Sequence, residues 1–260
     1  MKLYYDKEYN VLKDAHNLDA SECLILSDSE GTKQYLKASK IVDDILNDNM
    51  FEKWKDNSKS EFPPDLINEQ DFLVMEVMRV DDHSPDGKRN PVLAKQRQLS
   101  KEARPVLDFL PKDVDFFINA VTDLPTEQDH NYKYYYSSFQ RTLRKHLGKL
   151  SIYKSNYPKS KIIFMVFDET SGVYFEKVFV DGNQVTGKLH FPFFDNRFLN
   201  EFIDSDLDYL VWFIPYNHYE TRGEHLTLPR LILFDIKNVR KGTMLQRIDY
   251  DEKRMVSSER

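Results

Sequence analysis

A chain of 260 residues with 40% hydrophobic, 31% charged and 13% aromatic residues has enough apolar material for a sizeable core and too much for a disordered chain. Its net charge of −6 argues against indiscriminate nucleic-acid binding. The single cysteine, Cys23, excludes an intramolecular disulfide framework and a thiolate zinc site, and eight glycines leave little for a Gly-rich phosphate loop, so no nucleotide cofactor is expected.

In chain order, the first periodic element is a helix over Thr32 to Asn47, capped by Thr32, with Tyr35, Ala38, Val42 and Ile45 on one face. A polar stretch, Lys53 to Glu61, and the Pro63-Pro64 pair precede Asp65. Phe72 to Val80 is apolar in both alternating sets and reads as a strand buried on both faces. A turn-rich loop, Asp81 to Gly87, follows; Lys95 and Lys101 sit in a further loop or short helix, and Val106 to Val121 is helical in part. Asn131 to Leu150 is the clearest amphipathic helix, with Tyr132, Tyr135, Tyr136, Phe139, Leu143, Leu147 and Leu150 as its apolar stripe. Lys161 to Phe167 is another buried strand, closed by Asp168-Glu169, for which capping a turn is the expected role. Strands near Val173–Val180 and Val185–Phe191 flank Asp181-Gly182 as a hairpin with a turn slightly longer than minimal. Asp195 caps a short helix to Ile203, Tyr209–Ile214 and Leu231–Ile236 are buried strands, and residues 241–260 form a charged tail expected to be mobile. This alternation predicts one α/β domain over residues 1–260, a central mixed β-sheet flanked by helices with an inserted β hairpin.

Glu76 lies in the middle of the first buried strand. An unpaired carboxylate there costs several kcal/mol, so it is expected to be paired, protonated or bound to a cation. Asp65 precedes it by eleven positions, and a strand, a turn and a returning strand bring two such carboxylates together at one sheet edge. Two converging carboxylates suit a hard divalent cation such as Mg²⁺. The other readings are an aspartate favoured in a turn after Pro-Pro, and a strand glutamate buried against a basic residue.

Pro64-Asp65 and Glu76-Val77-Met78, set in the order helix, strand, strand, helix, strand, resemble the PD-(D/E)XK nuclease superfamily in divergent form over roughly residues 32–167. The resemblance implies a restriction-endonuclease-like core, residues 168–240 adding strands and helices to it. It also implies Mg²⁺ held by Asp65 and Glu76, and hydrolysis of a nucleic-acid phosphodiester. The family's lysine, two residues after the carboxylate, is replaced by Met78, which cannot stabilise a hydroxide or a developing charge. Lys95 is the first candidate to supply it from elsewhere and Lys101 the second; Glu22 or Asp43 is a candidate third carboxylate.

From His130 to Phe167 there are eight lysines and arginines and no acidic residue. Lys133, Arg141, Arg144, Lys145 and Lys149 are therefore candidates to contact nucleic acid, DNA ahead of RNA; a solvated helix face paired with acidic neighbours is the other reading. None of the seven histidines shows the i, i+4 spacing of a zinc helix, so scattered use is expected, although His83, just past the Glu76 strand, is placed to approach a metal. Trp212 is expected in the core. The N-terminus lacks an apolar run like a signal peptide and no segment approaches the roughly 20 apolar residues of a membrane span, so a cytoplasmic protein with no membrane partner is expected. The functional alternative to a Mg²⁺-dependent nuclease is a non-catalytic nucleic-acid-binding or protein-interaction module, of phage or mobile-element association, on the same fold.

Overall fold

The computed structural model describes residues 11, 12, 15, 18, 22–27, 32–46, 53–57, 64–83, 98, 101, 102, 130–170, 172–215, 219–221, 224–226, 229–241 and 245–258. Strand β1 (Cys23–Leu26) precedes helix α1 (Thr32–Leu46), and a meander of β2 (Lys55–Asp56), β3 (Leu66–Asn68) and β4 (Leu73–Val80) follows. Helices α2 (Tyr132–Leu147) and α3 (Leu150–Asn156) lead to β5 (Lys161–Asp168) and the hairpin β6 (Tyr174–Val180) and β7 (Asn183–Leu189). Next come α4 (Asn196–Asn200), β8 (Tyr209–Phe213), the small hairpin β9 (Tyr219–Thr221) and β10 (Glu224–Leu226), then β11 (Leu231–Asp235), α5 (Ile236–Lys241) and β12 (Met255–Ser257).

Among the described residues the main sheet has seven strands in the order β1-β11-β8-β5-β4-β3-β2. Strands β4, β5 and β8 run parallel at its centre, β3 and β11 are antiparallel to their inner neighbours, and the sheet is mixed. The parallel centre needs helical crossovers and burial on both faces, which is why β4 and β5 are almost continuously apolar. Alternation then sorts their side chains. Leu73, Met75 and Val77 of β4, with Ile163, Met165 and Phe167 of β5, pack with Ala38, Ile41, Val42 and Ile45 of α1. Val74 and Met78, with Ile162, Phe164 and Val166, pack on the opposite face with Tyr135, Phe139 and Leu143 of α2. There Phe139 stacks on Trp212 at 4.7 Å between ring centroids, a contact of about 0.5–1.5 kcal/mol beyond its burial.

Helix α2 begins where Asn131 accepts from the Lys133 and Tyr134 amides, at 2.9 and 3.4 Å. The single helix expected over Asn131 to Leu150 is two: α2 ends at Gly148, whose amide returns to Arg144 at 3.0 Å, and α3 restarts at Leu150. The β6–β7 hairpin turn is minimal rather than extended, because Asp181 and Gly182 both take positive φ, the twist that a two-residue turn requires. The expected mobile tail is also corrected: Met255–Ser257 pair with β6, and Tyr250 is buried with its hydroxyl on the Leu189 carbonyl at 2.9 Å. No helix among the described residues is long and apolar enough to cross a membrane.

Candidate functional site

The β3–β4 ladder pairs Leu66 with Met75, and one further step of that antiparallel register sets Asp65 opposite Glu76. Asp65 Oδ2 accepts the Val77 amide at 2.8 Å, which fixes its carboxylate beside β4. Glu76 shares the face of Val74 and Met78, under α2, and is 5% exposed. Its Oε1 lies 2.7 Å from Nδ1 of His146, near the end of α2. The two are close without the alignment of a hydrogen bond: among the described residues, Glu76 Oε2, His146 Nδ1 and the Tyr153 hydroxyl of α3 are buried polar atoms with no well-aligned hydrogen-bond partner. Burial first, then the negative charge of Glu76 and the approach of its carboxylate to the phenol, and last the charge of Asp65, raise the pKa of Tyr153 well above the usual phenol value, although the phenol and the Glu76 carboxylate are not aligned as a hydrogen bond. The phenol therefore faces both carboxylates.

Two carboxylates, an imidazole and a phenol thus converge at the β3–β4 edge. An unsatisfied buried polar atom costs about 1–3 kcal/mol, and three at one point favour any water or cation that satisfies them together. The donor set is rich in oxygen, as Mg²⁺ requires. Sequence reasoning missed His146 and Tyr153. Tyr153 carried no signal, and His146 carried only its place at helical spacing along α2.

The remaining predicted site residues fall elsewhere. Lys95 lies outside the described residues, and Lys101 is exposed. Met78 is 2% exposed and belongs to the core under α2. Asp43 is exposed on α1, on the opposite face of the sheet, and Glu22 pairs with Arg230 at 3.1 Å; neither joins Asp65 and Glu76.

The basic segment divides in two. Arg144 is held by Glu201 through Nε at 2.7 Å and a second nitrogen at 3.1 Å, and Lys161 by Asp208 at 3.0 Å. Glu201, although partly buried, is kept below the usual carboxylate range by Arg144, Tyr136 and Gln140. Lys133, Arg141 and Lys145 are exposed on one i, i+4 ridge of α2, and Lys149 is half-buried at the α2–α3 junction.

A second polar cluster sits at the C-terminal ends of β4 and β5. Asp168 is fully buried; its Oδ2 accepts from Tyr135 and, at 2.8 Å, from the Trp212 indole, and its Oδ1 accepts the Thr170 amide at 3.1 Å. Burial outweighs these donors and pushes its pKa up to about 6. Asp82 Oδ2 accepts from Tyr174 at 2.5 Å, and Asp195 Oδ2 from Tyr132 at 2.5 Å and His190 at 2.8 Å. Burial lowers the His190 pKa, so the ring is neutral and donates through Nε2. Three buried aspartates are each matched to a tyrosine of the same aromatic group. Asp82, His83 and His130 also form a group able to hold a metal ion, their ligand atoms all within 4.8 Å of one another.

Comparison with protein-family models, with curated proteins and with solved structures finds no match. The functional reading therefore rests on the geometry of this chain.

Proposed function

We propose that the protein is a divalent-metal-dependent phosphodiester hydrolase of restriction-endonuclease-like type, acting on nucleic acid, DNA ahead of RNA. The observation that carries the reading is the placement of Asp65 opposite Glu76 on adjacent antiparallel strands, beside the unpartnered atoms of Glu76, His146 and Tyr153. The order of α1, the β2–β3–β4 meander, α2 and a β5 parallel to β4 supports it, being the order the resemblance implies. In this reading Asp65 and Glu76 hold Mg²⁺, which when bound supplies Lewis acidity and lowers the pKa of a water molecule. His146 Nδ1, 2.7 Å from Glu76, holds a proton released there. Lys133, Arg141 and Lys145 attract the phosphate backbone, and Lys95 is the proposed replacement for the family's lysine. Arg144, engaged by Glu201, contributes less.

One observation favours the alternative, a non-catalytic nucleic-acid-binding module: the position of the family's lysine is filled by a methionine packed in the core. The deciding experiment titrates Mg²⁺ and Mn²⁺ calorimetrically into wild type, Glu76→Ala and His83→Ala, then assays cleavage of plasmid, single-stranded DNA and RNA. Binding and cleavage lost in Glu76→Ala but kept in His83→Ala support the hydrolase. Salt-sensitive DNA binding without cleavage under any metal selects the binding module.

A further inference from the structure

The turn after β4 carries a second constellation. Asp82 is 1% exposed, and its main-chain carbonyl accepts the Asn131 amide at 3.0 Å, which ties the turn to the start of α2. That contact brings His130 over the carboxylate: its Nδ1 is 3.2 Å from both Asp82 oxygens. His83 Nδ1 approaches the same Oδ1 at 3.9 Å, and the two imidazole rings lie 5.3 Å apart, tilted by 54°. Two ligands each about 2.0–2.1 Å from a tetrahedral ion are separated by about 3.3 Å, so small side-chain movements close these distances around a metal. The Tyr174 hydroxyl, donating to Asp82 Oδ2 at 2.5 Å, orients the carboxylate as the outer partner of a metal ligand does.

The surroundings supply an open side. His130 and Tyr174 also line a cavity of about 580 Å³ between the start of α2 and strand β12. Lys133, Lys177 and Lys253 line it too, while Glu252 is engaged by Arg197 at 2.6 Å. The cavity wall is therefore positively biased.

We propose that Asp82, His83 and His130 form a binding site for a divalent transition-metal ion of the Zn²⁺ class, with open coordination toward a cavity that accepts a small anion. Two imidazoles with one carboxylate suit zinc, iron(II) or cobalt rather than Mg²⁺, and the three ligands among the described residues leave a position for water or ligand. The site lies roughly 20 Å along β4 from Glu76 and stands independently of the hydrolase reading.

The test is titration of Co²⁺ into the EDTA-treated full chain, followed by visible absorption, with bound Zn²⁺ counted by elemental analysis. One ion per chain is expected at this site, in addition to any ion taken up at the Asp65–Glu76 edge. His83→Ala, on a partly exposed turn, and His130→Ala should each weaken binding by more than the about 10–100-fold typical of an outer partner, and Tyr174→Phe by about that amount. Glu76→Ala should keep the ion bound by Asp82, His83 and His130, and inorganic phosphate should change the Co²⁺ spectrum. No absorbance change in wild type, or wild-type binding by a folded His83→Ala variant, overturns the site, as does loss of all Co²⁺ binding in a folded Glu76→Ala variant. A spectrum indifferent to phosphate overturns the assignment of the cavity to anions.

Discussion

The indole of Trp212 donates to Oδ2 of Asp168 at 2.8 Å, joining a fully buried carboxylate at the end of β5 to the ring that stacks on Phe139. The central strands and α2 are thus linked by a polar contact inside an aromatic core. Low dielectric strengthens such a contact when satisfied and raises the cost when it is broken.

Asp168 should titrate late. Its carboxyl pKa rises from 3.8 to about 6 in the folded state, so the folded chain holds this proton more tightly than the unfolded chain. The resulting stabilisation is complete below about pH 3.8 and is lost as pH rises through about 6, amounting to about 3 kcal/mol. Buried His190 has the opposite sign, because its pKa is lowered: its contribution is present above pH 6.5 and lost as pH falls. Urea unfolding of wild type against Asp168→Asn isolates the first term, and the advantage of wild type should shrink between pH 4 and 7. A carbon-13 midpoint for Asp168 near 4 would refute this.

Tyr135 and Trp212 depend on Asp168 as their acceptor. Asp168→Ala leaves both buried donors unsatisfied, at roughly 1–3 kcal/mol each, and should be among the most destabilising single changes in the sheet. Thermal or denaturant unfolding measures it directly.

His146 and Glu76 form a close buried pair with no hydrogen bond between them. His146→Ala removes the ring that lies against the buried Glu76 carboxylate and should cost about 1–3 kcal/mol. If the edge binds Mg²⁺, wild type should gain about 2.7 kcal/mol at a metal concentration 100 times Kd, and Glu76→Ala should gain nothing. Differential scanning with and without Mg²⁺ distinguishes the two.

Gly187 in β7 has no room for a side chain. An added Cβ would lie 2.4 Å from Val178 Cγ2 and 2.7 Å from the Glu176 carbonyl oxygen, beside the irregularity between Phe175 and Lys177. The backbone oxygen cannot step aside, so Gly187→Ala should destabilise the β6–β7 hairpin by about 1–3 kcal/mol, read as faster amide exchange in β6.

The exposed ridge of α2 gives a binding prediction. Lys133→Ala, Arg141→Ala and Lys145→Ala should each lower the salt slope of DNA binding by about one ion without altering stability. Arg144→Ala should have a smaller effect on binding, because Glu201 engages that side chain in the free protein.

The sequence by itself determined the α/β alternation, both central strands and the nearness of Asp65 to Glu76. Those features rest on local periodicity and on one short turn, so they are readable within a dozen residues. It also determined that Trp212 is core and that Asp195 caps a helix. Only the tertiary structure decided that α2 lays His146 against Glu76, that the turn after β4 meets His130 from 48 positions downstream, and that three aspartates find three tyrosines. It also decided that Arg144 meets Glu201 while Lys133, Arg141 and Lys145 stay exposed on one ridge, and that the tail returns to pair with β6. The physical reason is common to all of these. Such contacts depend on the order of strands across the sheet and the side on which each crossover helix packs, and neither leaves a period in the sequence.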